Sequence, residues 1–322
     1  MPRVAILGAG YACRYYLKAL PVLDYPIVGI SSRTKERGLA AAAEGQTAYF
    51  DTFEQLLERS GAEVLCITTP TFNHLEAISK AVRSGMKKIF CEKPLAMNNR
   101  EAVEIQKICR DHNVILGTGF KMRFESLFTE IKKAIDRGEI GDLVSMTMNF
   151  FQPIPHSHWF LDSGFVRETL SHPLDLANWF AGENPSRVFC TTQNILGGKE
   201  EDQAFAMLSY PSNIMATING GWIRDYPHVP GRQNIGFEII GTKGYLFGVR
   251  PDLLMTCSAT GRENKEILDV NPIELEFRNF VERISQGKPP SVDMSVAMDA
   301  QRVIDAARES ALSGRPVAIE RC

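Results

Sequence analysis

The sequence predicts two domains of different build. Residues 1–120 form an α/β domain with helices on both faces of a doubly wound parallel sheet. Residues 121–322 form an α+β domain with a large, mostly antiparallel, open-faced sheet. Three observations carry this. The 322 residues exceed the roughly 250–300 at which a single core stops growing. Up to residue 120, short apolar runs alternate with segments of helical period, the rhythm of parallel strands joined by crossover helices. Beyond it, strands follow one another closely, with turn signals between them.

In chain order, the first strands are predicted at Val4 to Leu7, Ile27 to Ser31, Val64 to Thr68, Lys88 to Cys91 and Val114 to Gly117. Each is nearly continuous in apolar character, as a strand buried on both faces must be. Between them, Leu75, Ile78 and Val82 recur at helical spacing, as do Val103, Ile105, Ile108 and Cys109. A helix near 125–137 follows, marked by Leu127, Phe128, Ile131 and Ile135 and ended by Gly138. Strands are then expected at Leu143 to Phe151, Arg187 to Thr192, Ala204 to Tyr210, Met215 to Gly221, Ile235 to Ile240 and Tyr245 to Val249. The turn sequences Pro211-Ser212-Asn213 and Gly241-Thr242-Lys243-Gly244 favour antiparallel neighbours. A closing helix near 293–313 carries Val296, Ala300, Val303 and Ala307 on one face and stops before Gly314. No linker intervenes, so the domain boundary rests on the change of rhythm alone.

Composition narrows the function. With 44% hydrophobic and 23% charged residues, the chain is of the ordinary globular kind. A formal net charge of -2 with both signs interspersed gives no positive field to gather nucleic acid or an anionic membrane. Small-molecule chemistry is the expectation. The seven cysteines are odd in number and lack C-x-x-C spacing, which fits buried thiols in a reducing compartment. No apolar run reaches the ~18 residues of a membrane span, and residues 1–10 lack a secretory pattern. A cytoplasmic location is expected.

The first strand runs into Gly8-Ala9-Gly10-Tyr11-Ala12-Cys13 and then a helix-compatible stretch. A pyrophosphate needs bare backbone beside it and free amides at a helix N-terminus, and Gly8, Gly10, Tyr11 and Ala12 are placed to supply them. The third position of the fingerprint is Cys13, small enough for helix and strand to pack. Beyond the second strand, where an NAD-preferring fold puts a carboxylate on the ribose, the chain reads Ser31-Ser32-Arg33-Thr34. Ser32 and Arg33 would hold a 2′-phosphate by charge-assisted hydrogen bonds, so NADP(H) is favoured, with NAD(H) the alternative.

Two more segments follow strand ends: Thr68-Thr69-Pro70-Thr71-Phe72-Asn73-His74 and Cys91-Glu92-Lys93-Pro94-Leu95-Ala96. With the N-terminal turn, they make the whole chain resemble the glucose-fructose oxidoreductase/inositol dehydrogenase/MocA family, whose first domain is a Rossmann fold. The segments Arg137 to Gly141 and Gly314 to Val317 belong to the same likeness. The resemblance implies cofactor contacts from Thr69, Pro70, His74, Glu92, Lys93 and Lys121. It implies a second catalytic motif in the C-terminal domain, read here as Glu168-Thr169-Leu170-Ser171-His172-Pro173-Leu174-Asp175. Spacings of four and three would put Glu168, His172 and Asp175 on one side of a helix. Glutamate replaces the family's aspartate at 168 and leucine its glycine at 170, which implies a reshaped substrate site. The family also implies a polyol or sugar substrate, and a homodimer or homotetramer paired through the open face of the C-terminal sheet.

Oxidising a secondary alcohol requires a base at the hydroxyl oxygen, and reducing a ketone requires an acid there. Lys93 is the first candidate for that role: burial and a neighbouring positive charge move a lysine down from its ordinary ~10.4. His172 is the second, with Glu168 orienting it or binding a neighbouring hydroxyl. Substrate contacts are expected from Lys93, Arg123, Trp159, Glu168 and His172. Trp159 suits stacking on a sugar face or an ordinary core role, and Lys121 and Arg123 suit cofactor, substrate or the domain junction. His156 and His158 lack a third partner at ligand spacing, so no metal is expected. Two alternatives keep the fold: another carbonyl or imine reduction or a redox-assisted glycosidase, and a nicotinamide-sensing regulator without turnover.

Overall fold

Val4 to Leu7 and Val64 to Ile67 are buried residue after residue, the pattern of strands covered on both faces. The computed structural model describes residues 1–155, 158–223, 234–250, 253–258, 261–268 and 270–320. Its elements begin β1 (Val4–Leu7), α1 (Tyr11–Val22), β2 (Ile27–Ser31), α2 (Lys35–Glu44), β3 (Tyr49–Phe50) and α3 (Phe53–Arg59). They continue with β4 (Val64–Ile67), α4 (His74–Arg83), β5 (Lys88–Glu92), α5 (Asn99–Asp111) and β6 (Ile115–Gly119). Next come α6 (Ser126–Asp136), β7 (Leu143–Pro153), α7 (His158–Ser163), the single turn α8 (Phe165–Glu168) and α9 (Ser171–Ala181). Seven strands follow: β8 (Arg187–Gln193), β9 (Gln203–Ser209), β10 (Met215–Ile223), β11 (Asn234–Gly241), β12 (Gly244–Val249), β13 (Leu253–Ser258) and β14 (Gly261–Glu266). The chain closes with α10 (Pro272–Ser285), α11 (Met294–Ser313) and β15 (Val317–Ala318).

The chain divides into two compact units, Met1–Phe124 with Asn271–Gln301, and Glu125–Val270 with Arg302–Cys322. The first holds a six-stranded parallel sheet in the order β3-β2-β1-β4-β5-β6. The chain leaves β3 at one edge and restarts at β4 on the far side of β1. The crevice outside the carboxyl ends of β1 and β4 is therefore a topological switch point, where such sheets bind ligands. The two predicted α/β characters, continuous strands and amphipathic helices, are both present. On α5, however, the buried stripe is Ala102, Ile105 and Cys109, while Val103 is exposed.

The sequence reading omitted β3, β13, β14 and β15 and the helices α2, α3, α7 and α10, and it placed the whole of 121–322 in one domain. The structure instead groups Asn271–Gln301 with the first unit, and packing explains why. Asn271 caps α10 by accepting the Ile273 N–H at 3.1 Å, and Pro272 follows as its first residue. Ile273, Phe277, Phe280 and Val281 then pack with Tyr16, Leu17, Leu20, Tyr25 and Phe90 in one buried cluster. Phe277 alone has ring contacts to Tyr16, Tyr25, Phe90 and Phe280, with centroids 5.2–6.1 Å away.

The second unit is built on a nine-stranded sheet in the order β14-β13-β12-β11-β7-β10-β9-β8-β15. Neighbours are antiparallel except β7 and β10, which run parallel with Met215 opposite Ser145. One face is buried through Met146, Met148, Phe150, Ala206, Leu208, Ile218, Phe237 and Ile239. The opposite face alternates with it and shows Phe205, Met207, Met215, Ile240, Tyr245 and Phe247, each 38–59% exposed. Among the described residues no helix is long and apolar enough to cross a membrane.

Candidate active site

In the first unit, β1 is followed by Gly8, whose φ of +109° is a conformation L residues avoid. A Cβ there would also lie 2.8 Å from the Thr68 Oγ1. Glycine therefore lets β1 and β4 close on each other at the switch point. Gly10 caps α1, is exposed, and has nothing within 4 Å of where a Cβ would stand. The first turn of α1 holds no acidic residue, so its free amides keep their attraction for an anion. Tyr11 is exposed and Ala12 half-buried. Cys13 is fully buried, and burial lifts its thiol to about 12, so it is a packing group. Bare backbone, open space and an uncompensated helix N-terminus together fit a dinucleotide pyrophosphate.

Ser32 and Arg33 follow β2, Ser32 half-buried and Arg33 exposed. Nearby, Lys35 is tied to Asp51 at 2.7 Å. At the end of β4, Thr69 and Pro70 are half-buried, and the Thr69 Oγ1 is buried with no hydrogen-bond partner among the described residues. Such an atom suits a ligand that brings its own polar group.

His74 follows Thr69 and Pro70 at the start of α4. Its ring is fully buried, with Nδ1 3.0 Å from the Pro94 carbonyl and 3.2 Å from that of Leu95, and Nε2 2.9 Å from that of Thr69. The imidazole thus links the Thr69-Pro70 loop to the Pro94-Leu95 segment. Burial lowers its pKa below the ordinary 6.5, against the opposing pull of those carbonyls.

Glu92 ends β5, and Lys93 begins the loop that follows, half-buried. Glu92 accepts the Tyr16 hydroxyl at 2.8 Å through Oε1 and the Lys93 backbone N–H at 3.2 Å through Oε2. Lys121 holds its ammonium 4.9 Å from the centre of the Tyr15 ring, which fixes it beside the start of α1. Tyr15 in turn meets Tyr11 edge to face at 5.1 Å. Arg123 lies half-buried in the short helical turn Lys121–Phe124. Gly8, Gly10, Thr69, Glu92 and Lys93 thus all stand at or just beyond the carboxyl ends of one parallel sheet.

The second unit carries the other motif, and here the expected single helix is broken. Glu168 ends α8 and His172 is the second residue of α9. Proline explains the break: Pro173 has no N–H, and its ring would meet the Thr169 carbonyl in a continuous helix. The Thr169 and Leu170 amides both donate to the Phe165 carbonyl, and the His172 amide donates to that of Thr169 at 3.1 Å. Trp222 holds the junction by donating its indole N–H to the Thr169 hydroxyl at 3.0 Å. Glu168, His172 and Asp175 are all buried. Glu168 accepts the Ser163 hydroxyl at 2.5 Å, and Arg167 donates to the Ser163 carbonyl. Trp159, on α7, has its ring 4.0 Å from that of Phe160.

Sequence reasoning missed four residues that hold this machinery: Tyr16, Glu276, Ser163 and Arg167. Glu276 alone left a visible signal, a carboxylate within the apolar stripe of Ile273, Phe277 and Phe280. His156 and the side chain of His158, which were expected not to bind a metal, lie outside the described residues; among the described residues there is no cluster of three metal-ligating side chains.

Comparison with known proteins points the same way. The sequence model of an oxidoreductase family with an NAD-binding Rossmann fold matches residues 2–120, and that of the GFO/IDH/MocA C-terminal domain matches residues 128–247. The scyllo-inositol 2-dehydrogenase (NAD(+)) of Bacillus subtilis is 28% identical, over 99% of this chain and 96% of its own. The D-xylose 1-dehydrogenase (NADP(+)) 2 of Haloferax volcanii is 27% identical, over 98% of this chain and 99% of its own. In fold, an oxidoreductase of Agrobacterium radiobacter solved with NAD+, L-tartaric acid and magnesium superposes with a TM-score of 0.89 at 17% identity. That match covers 99% of this chain and 98% of the other.

Proposed function

The chain belongs to the GFO/IDH/MocA family of oxidoreductases with an NAD-binding Rossmann fold, and on that premise we propose that it interconverts a secondary alcohol and a ketone. The substrate class is a sugar, an inositol or a related polyhydroxylated molecule, as in the relatives' names. One observation carries the reading: Glu92 ends β5 and Lys93 follows it, in the same sheet whose β1 runs out into Gly8 and Gly10.

The nicotinamide supplies the hydride acceptor in one direction and the donor in the other. The chain supplies the proton chemistry. Lys93 Nζ takes the hydroxyl proton as the alcohol is oxidised and returns it to the oxygen as the ketone is reduced. His172 is the second group for that proton, and Glu168, turned by Ser163, binds a neighbouring hydroxyl. Gly8, Gly10, Tyr11 and Ala12 would hold the pyrophosphate of the dinucleotide, and Thr69, Pro70 and Glu92 would make further contacts to it. Lys121 adds a cation beside α1; Arg123 and Trp159 serve the substrate.

NADP(H) is the cofactor in this reading, because Ser32 and Arg33 offer a hydroxyl and a guanidinium where a carboxylate would repel a 2′-phosphate. In an assay on a panel of inositols, aldoses and their ketones, the wild-type protein is expected to reduce NADP+ with at least one alcohol. Ser32→Asp then moves the ratio of kcat/KM values toward NAD+ by about tenfold or more. An unchanged ratio would remove the 2′-phosphate argument. Bound cofactor with no turnover across the panel would favour a sensor.

The exposed row of Phe205, Met207, Met215, Ile240, Tyr245 and Phe247 supports a homo-oligomer paired through this sheet face. Light scattering on the Met207→Lys/Phe247→Lys double variant is expected to give the monomer mass of about 36 kDa. A mass equal to that of the wild-type assembly would contradict the pairing. Six free cysteines among the described residues, five of them buried, fit a reducing compartment such as the cytoplasm.

A further inference from the structure

We propose that Glu201 is a positioning residue for Glu168: it caps, from outside the helix, the single turn α8 that carries Glu168. Gly164 is the residue before that turn, and it brings no side chain to accept the first free amides. Glu201 supplies the acceptors from the loop before β9. Its backbone carbonyl accepts the Phe165 N–H at 2.9 Å, and its Oε1 accepts the Val166 N–H at 3.1 Å. The fit requires glycine at 164 in two ways. The φ of +92° there is one that L residues avoid, and a Cβ would lie 2.5 Å from Glu201 Oε1. Only a hydrogen at that position leaves the carboxyl group room beside the turn.

The cap is itself anchored. Glu200, Glu201 and Asp202 stand in a row just before β9, and each holds a different part of the unit. Glu200 pairs with Arg308 of α11 at 3.2 Å. Asp202 is buried and accepts the Ile195 and Leu196 amides, the first at 2.9 Å. Its backbone carbonyl accepts the Trp222 N–H at 2.9 Å, and the Trp222 indole donates to the Thr169 hydroxyl. Two neighbouring residues therefore hold both ends of the turn: Glu201 binds Phe165 and Val166 directly, and Asp202 reaches Thr169 through Trp222.

Glu168 lies between those ends. Its amide donates to the Gly164 carbonyl at 3.0 Å, which closes the turn, and its Oε1 accepts the hydroxyl of Ser163, the residue before the glycine. The direction of the Glu168 side chain thus follows from the turn that Glu201 holds. The bond to Val166 needs only an accepting oxygen, which a carboxylate, a carboxylic acid and an amide all have. The part that concerns turnover rests on the hydroxyl-binding role proposed for Glu168.

Hydrogen exchange and kinetics test it on the full chain. In Glu201→Ala the Val166 amide is expected to exchange about tenfold faster than in wild type, and in Glu201→Gln within about twofold. That comparison needs neither substrate nor turnover. With a substrate found by the panel, Glu201→Ala lowers kcat/KM by about tenfold, Glu201→Gln stays within about twofold, and cofactor affinity is unchanged in both. In the Glu168→Ala background, Glu201→Ala changes kcat/KM by less than about twofold, because the group it positions is gone. Unchanged exchange at Val166 in Glu201→Ala would overturn the cap. No loss of kcat/KM in Glu201→Ala, or a loss that repeats in full in the Glu168→Ala background, would overturn the positioning role. If Glu168→Ala alone leaves turnover unchanged, the role proposed for Glu168 fails, and the Val166 exchange still decides the cap.

Discussion

Replacing Lys93 by methionine is expected to lower kcat by roughly 10²–10⁴-fold, the contribution of a positioned acid/base, while cofactor affinity stays within a few-fold. That loss corresponds to about 3–5 kcal/mol of transition-state stabilisation. Methionine matches lysine in length and apolar stem but cannot take or give a proton. The loss therefore belongs in kcat, because the missing interaction exists only as the oxygen gains or loses its proton. A lysine at the surface with no part in the reaction would change kcat by no more than a small factor. Stopped-flow turnover with saturating cofactor, beside a direct titration of cofactor binding, separates the two outcomes.

The second large effect concerns stability. Phe277→Ala is expected to destabilise the first unit by about 3–5 kcal/mol, read from denaturant unfolding followed by the fluorescence of its tyrosines. Phe277 is fully buried, and its ring is surrounded by those of Tyr16, Tyr25, Phe90 and Phe280. Truncation removes the transfer free energy of a phenyl ring and leaves a cavity among stiff aromatic neighbours that collapse poorly. Phe277 stands far along the chain from the sheet it covers. If Asn271–Gln301 were an outlying part of the second domain, the substitution would leave the unfolding of the first unit unchanged.

The parallel sheet was legible because each of its long strands is a short apolar run with a turn signal behind it, as at Val4 to Leu7 and Val64 to Ile67. The two-residue strand Tyr49–Phe50 was not, since no periodicity can be read from two residues. Helix α10 left a readable trace in its Asn271-Pro272 start and its spacing of Ile273, Phe277 and Phe280. It was overlooked because it follows a long run of strands, and sequence pattern does not say which sheet a distant helix covers. The places of Gly8 and Gly10 just after β1, and of Lys93 just after β5, were legible from the apolar runs that precede them. The spacing argument for Glu168, His172 and Asp175 failed at Pro173, because equal spacing implies one face only where the helix is unbroken. The linking part of His74 was not legible either, because only folding brings the carbonyls of Thr69, Pro94 and Leu95 around its ring.

The central claim is hydride transfer from a polyol carbon, and the most direct measurement follows the hydrogen itself. A substrate found by the panel, deuterated at the carbinol carbon, is incubated with oxidised cofactor, and the reduced cofactor is analysed by mass spectrometry. The account predicts one deuterium at the nicotinamide C4 per ketone formed, with Lys93→Met slowing its appearance and leaving its position unchanged. Ketone formed without label in the nicotinamide, or label arriving as fast in Lys93→Met as in wild type, would contradict it.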